Sequence, residues 1–166
     1  GNKKFTHLHV DEKWFSGFYI KNFTNINPKK KDFLLFIKKI INKKKTNLVI
    51  TTGTVQLPFI TQISNKYFNI HPEGYYSLLY GKFKIILLKK ISMEFLEIIA
   101  MNANNVITCH GPISLIAGSF KVNLIDIIDK KREKWYCRFT SHITEYNMLY
   151  RKNFNKLAKK IILKIK

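Results

Sequence analysis

A chain of 166 residues, 46% hydrophobic and 14% aromatic, is long enough to bury one core unaided, and two cysteines are too few for a disulfide framework. No stretch has the order of a signal peptide and no apolar run approaches the roughly 20 residues of a membrane span, so the sequence reads as one cytoplasmic domain. The formal charge of +20 would attract polyanions, but arginine, whose fork suits phosphate and base recognition, occurs only at Arg132, Arg138 and Arg151, which argues against a dedicated nucleic-acid module.

Lys4 to Val10 alternates and predicts a first strand, which runs into the polar turn Asp11-Glu12-Lys13. A helix is predicted from Asn27-Pro28, with Asn as its cap and Pro in its first turn. Phe33, Leu34, Ile37, Ile40 and Ile41 form its inner face, and Lys38, Lys39 and Lys43 to Lys45 lie towards the negative end of its dipole. Asn47 to Thr52, closed by Gly53, fits a buried parallel strand and completes a βαβ unit. Val55 to Tyr67 is a weaker helical pattern with Pro58 near its start, His71 to Gly74 is a turn, and Lys82 to Leu88 is a strand. Ser92 caps a helix that carries Glu94 in its first turn, has Phe95, Leu96, Ile98 and Ile99 on its apolar side, and ends near Asn102. Asn105 to Thr108 then reads as a strand, Pro112 to Phe120 as a helix and Val122 to Ile127 as the last strand. After the charged stretch Asp129 to Lys134 and the aromatic patch Trp135 to Phe139, one long helix is predicted from about Thr144 to the end. Tyr146, Leu149, Tyr150, Phe154, Leu157, Ile161, Ile162 and Ile165 mark its apolar face. It reads as a packing helix which, being basic and amphipathic, can also rest on an anionic membrane surface. The alternation predicts an α/β fold: a single Rossmann-like domain with a parallel sheet, helices on both faces and a long C-terminal helix.

Ligands of such sheets bind outside the carboxyl ends of the strands. The loops to inspect are Asp11 to Trp14, Thr51 to Thr54, Lys89 to Glu94 and Cys109 to Ser114. In the last, a strand enters a sharp Cys109-His110-Gly111-Pro112 turn and then a helix, aiming backbone N–H groups and a positive dipole end at any phosphate placed there. Gly111 permits close approach, Pro112 lacks an N–H that the first turn would not pair, and His110 can donate to a diphosphate oxygen. A bare strand-turn-helix of these residues fits a structural turn as well. His7, His9 and Asp11 alternate on one strand face as candidate metal ligands, but no other Cys or His cluster completes the set, so no metal is expected.

The stretch Ser92 to Ile127 resembles the C-terminal signature of ADP-heptose:lipopolysaccharide heptosyltransferases: a leucine-rich helix opening with Ser-Leu, a strand, Asp-[Ser/Thr]-Gly-x-x-His-x-Ala, an Ala-rich helix and a last strand. Gly111-Pro112, Ile116-Ala117 and Lys121-Val122 match it. Lys13-Trp14 resembles the family's Lys-Arg-Trp-Pro segment, and Ile50-Thr51-Thr52-Gly53 its Leu-Thr-Gly-Gly turn, so the resemblance spans about residues 5 to 128. It implies that residues 1 to 166 are the donor-binding, C-terminal half of a two-domain GT-B glycosyltransferase, working in the cytoplasm at the inner face of the membrane. The start at Gly1 suits an excised piece. The implied reaction is inverting transfer from a nucleotide-diphosphate sugar to a lipopolysaccharide or polysaccharide acceptor. The catalytic base lies on the N-terminal half, and no cofactor or metal beyond the donor is required. The implied substrate contacts are Lys13 on the donor phosphates, Thr52 and Gly53, Met93 with Glu94 by the base and ribose, and His110, Gly111, Pro112 and Ser114 at the phosphate turn. The chain departs from the family at Cys109 in place of Asp, His110 in place of Ser or Thr, and Ser114 in place of His. These departures leave the sugar open. They also leave room for a non-catalytic nucleotide- or glycan-binding module, with a lysine-driven RNA or DNA binder as the third reading.

Overall fold

Unbroken runs of buried residues through three of the predicted strands mark them as inner strands, covered on both sides. The computed structural model describes residues 5–15 and 26–166; Gly1 and Lys4 lie outside them. The elements are β1 (Phe5–Val10), α1 (Lys30–Lys44), β2 (Asn47–Thr52), α2 (Pro58–Tyr67), β3 (Asn69–Ile70), β4 (Tyr76–Tyr80), β5 (Phe83–Leu88), α3 (Met93–Asn102), β6 (Ala103–Cys109), α4 (Pro112–Gly118), β7 (Asn123–Ile128), α5 (Glu133–Thr140), β8 (Tyr146–Tyr150) and α6 (Phe154–Lys164).

The strands form one eight-stranded sheet in the order β3-β4-β5-β2-β1-β6-β7-β8. From β5 to β8 every pairing is parallel; β3 and β4 add an antiparallel edge. The chain builds outward from β1 through β2 to β5, then returns to β1's other side and continues through β6, β7 and β8. This is a Rossmann-like α/β fold with its topological switch point between β1 and β6.

The strand alternation divides the interior in two. Leu8, Val10, Leu48, Ile50, Ile107, Ile125 and Ile127 face the core filled by α1, α2 and α6. Val106 and Leu124 turn the other way, towards the smaller core under α3 and α4. Helices therefore cover both faces, as the sequence predicts. Among the described residues no helix is long and apolar enough to cross a membrane.

Three local expectations are corrected. Asn27 is left-handed (φ 40) rather than a cap, and α1 begins at Lys30, with Phe36 added to its buried face and Leu34 only half-buried. The long C-terminal helix is interrupted: Tyr146–Tyr150 pairs parallel with β7 and puts Leu149 in the core, so β7 is not the last strand. Arg151-Lys152-Asn153 then breaks the chain direction, and the Asn153 side chain caps α6 by accepting from Asn155 N–H at 3.2 Å. In α3 only Leu96 and Ala100 are buried, while Phe95 and Ile98 are exposed.

A polar ladder fastens α6 beneath the sheet. Asn123 donates to Asn105 Oδ1 (2.7 Å) and to the Lys164 carbonyl (2.9 Å), and it accepts from Asn147 (2.8 Å). Asn105 in turn accepts from Lys166 N–H at 2.9 Å. These side chains lie at the amino ends of β6, β7 and β8, away from the switch point.

Candidate functional site

At the carboxyl end of β1 the chain turns on Asp11. Its Oδ1 accepts from Lys13 N–H (3.0 Å), capping the short helical turn Glu12–Trp14, and its Oδ2 accepts from Lys13 Nζ (2.6 Å). Burial alone would lower the pKa of Lys13, but the charge and hydrogen bond of Asp11 outweigh it and raise the value, so the ammonium stays charged. Trp14 anchors this turn from behind: it is fully buried and its ring lies 6.5 Å from that of Phe154.

Across the switch point, β6 ends in Cys109 and α4 begins after Gly111. Lys13 Nζ lies 3.1 Å from where a Cβ on Gly111 would stand, so the two loops meet at this point. The Gly111 backbone is extended (φ 174), and glycine is needed there for room rather than for its angles. The expected cradle of free amides is smaller than the sequence suggests. Gly111 N–H donates to Ser114 Oγ (3.3 Å), Ser114 N–H donates to the Gly111 carbonyl (3.0 Å), and Pro112 has no N–H. The cation at the crevice is thus Lys13, held in its ion pair with Asp11.

Beside it lies a group that sequence reasoning missed. Asp126, wholly buried on β7, accepts from His110 Nδ1 (2.6 Å), Ser114 Oγ (2.8 Å) and the Tyr146 hydroxyl (2.9 Å). Burial, reinforced by the Asp126 carboxylate, pushes the Tyr146 phenol well up, so it remains a donor. The His110 ring packs 4.2 Å from Tyr136 and 6.5 Å from Trp135, whose indole is 52% exposed. The readable signal was a lone carboxylate in the apolar run of β7, since a charged residue is almost never fully buried without partners.

The remaining expected residues divide. Cys109 points into the core, and burial, with the charge of Asp11, pushes its thiol well up; it supplies no carboxylate-like contact. Thr52 lines a cavity of about 260 Å³ with Leu57, Ile60, Lys89 and Lys90, at the ends of β2 and β5. Its hydroxyl accepts from Lys90 N–H (3.1 Å) and donates to the Gly53 carbonyl (3.3 Å). Met93 and Glu94 open α3 on the surface, and a bond from Ser92 holds the Glu94 carboxyl below its usual range. Among the described residues no hydrogen bond links Thr52, Gly53, Met93 or Glu94 to the Lys13, Gly111 and His110 group.

His7 and His9 share the Thr51 hydroxyl, His7 Nε2 at 2.7 Å and His9 Nδ1 at 2.9 Å, inside the sheet face. Among the described residues no group of three His, Cys, Asp or Glu side chains could hold a metal ion. Further lysines edge the same end of the sheet. The adjacent ammonium of Lys160 holds Lys152 below its usual value, and the charges of Lys130 and Lys156 add to the effect. An anion approaching the carboxyl ends of β7 and β8 meets that field. Compared with known proteins, the chain matches no family model, no curated protein and no solved structure.

Proposed function

We propose that this chain is the donor-binding domain of an inverting glycosyltransferase and holds a nucleotide-diphosphate sugar over the crevice between β1 and β6. The observation that carries the reading is the charged Lys13 ammonium, pinned by Asp11 and set against Gly111 at the switch point of a Rossmann-like sheet. A diphosphate placed there meets a fixed cation, without the entropic cost of gathering mobile lysines. In the reaction the acceptor oxygen bonds to the anomeric carbon as the carbon–oxygen bond to the diphosphate breaks. The electron pair goes to the departing diphosphate oxygen, where Lys13 stabilises it, and the acceptor proton goes to a base on the other half of the enzyme.

Thermal unfolding with ADP, GDP, UDP and CDP tests this. At a hundredfold excess over the dissociation constant the fitting nucleotide raises Tm by about 5–10 °C. No shift with any of them at millimolar concentration contradicts the proposal. The burial of Cys109 at the family's Asp position favours a second reading, a nucleotide- or glycan-binding module without transfer activity. Assay of the complete gene product for transfer or hydrolysis of nucleotide sugars separates the two. Strong, salt-dependent retention on RNA or DNA with no nucleotide effect would favour the lysine-driven binder instead.

A further inference from the structure

A carboxylate only accepts, so the 2.6 Å contact between Asp126 Oδ2 and His110 Nδ1 fixes the proton on Nδ1. Nε2 then has no hydrogen-bond partner among the described residues, and the His110 side chain keeps 7% of its surface exposed. The ring cannot turn away, because Tyr136 packs against it at 4.2 Å and Ser114 and Tyr146 hold Asp126 in place from two other elements. The imidazole thus presents one nitrogen at the carboxyl edge of the sheet, one residue from Gly111 and its Lys13 neighbour.

We infer that Asp126 is a positioning residue that locks His110 so that Nε2–H donates to a phosphate oxygen of the bound diphosphate. The inference rests on the donor-site reading above. In the complex Asp126 faces Nδ1 on one side, and the ligand oxygen faces Nε2–H on the other. His110 and Lys13 then grip the diphosphate from β6 and β1, which makes up for the few free amides of the turn. A purely structural pair would need Nδ1 alone.

The two nitrogens can be separated by substitution. In His110→Asn the side-chain amide can replace Nδ1 and keep the bond to Asp126, but nothing reaches the ligand. In His110→Gln the amide can replace Nε2, but the bond to Asp126 is lost. Calorimetric titration with inorganic pyrophosphate is the probe, with Tm measured on each variant. We expect His110→Asn to keep its Tm and bind roughly ten- to hundredfold more weakly. His110→Gln should lose Tm yet bind more tightly than His110→Asn, though short of the parent chain because its bond to Asp126 is gone, and Asp126→Asn should weaken binding by loosening the ring. Parent-like binding by His110→Asn, or affinity that simply follows Tm across the variants, overturns the inference and leaves the donor-site reading standing. Failure of the unsubstituted chain to bind pyrophosphate overturns both.

Discussion

The ammonium group of Lys13 stands 3.1 Å from the point where a side-chain carbon would begin on Gly111. One added methyl therefore moves the cation rather than the backbone, since the glycine's conformation is open to any residue. Gly111→Ala should weaken nucleotide diphosphate binding several-fold while changing stability by less than about 1 kcal/mol, read by calorimetry and urea unfolding. Lys13→Met should remove binding and also cost on the order of 1–3 kcal/mol, because it strands the nearly buried carboxylate of Asp11.

Two histidines make the fold acid-sensitive. Burial, with the charge of His9, lowers His7 from 6.5 to about 3; burial, with the charge of Lys13, lowers His9 to about 4. Below pH 6.5 the unfolded chain takes up two protons that the folded chain refuses, so stability is full above that pH and falls as pH drops towards the folded values. Between pH 7 and 5.5 the loss should be on the order of 2–3 kcal/mol by urea unfolding. His7→Gln should halve it; an unchanged slope would show that His7 does not titrate between the two states.

Much of this architecture is legible in the residues, and the misses have physical causes. β2 was readable as an apolar run closed by Gly53, and α3 from its Ser92 cap. β8 was not, because Tyr146, Leu149, Tyr150 and Phe154 fit helical spacing as well as a short strand, and only pairing with β7 decides. The β4–β5 hairpin turns on Gly81 (φ 59), yet Tyr76 to Tyr80 lies near the sheet edge with no clear period. In α3 apolar residues surround the axis, so periodicity could not tell Leu96 from Phe95. His110 and Asp126 stand 16 residues apart and meet only because β6 and β7 are neighbours.

A second glycine is fixed by its neighbour. A Cβ on Gly118 would lie 2.4 Å from Ile143 Cδ1. Alanine normally strengthens a helix, but Gly118→Ala should here cost about 1–3 kcal/mol. Adding Ile143→Val removes the nearer of the two clashing carbons, leaving Cγ1 at 2.9 Å, and should restore part of the loss in Tm. If the single variant is as stable as the parent, Ile143 has room that the structure does not show.

The asparagine ladder should govern the end of the chain. Asn123→Ala breaks its bonds to Asn105, Lys164 and Asn147. It should cost about 2–4 kcal/mol and speed hydrogen exchange in the last turn of α6 far more than in β1 or β2. Uniform acceleration across the sheet would mean that the ladder serves global stability rather than the docking of α6.

An amide-resolved NMR titration with ADP, GDP and UDP tests the central claim most directly. The account predicts saturable shifts concentrated at Lys13, His110 and Gly111 at the β1–β6 crevice. Shifts confined to the lysines of α6, or none at Gly111 and His110 under saturating nucleotide, would contradict it.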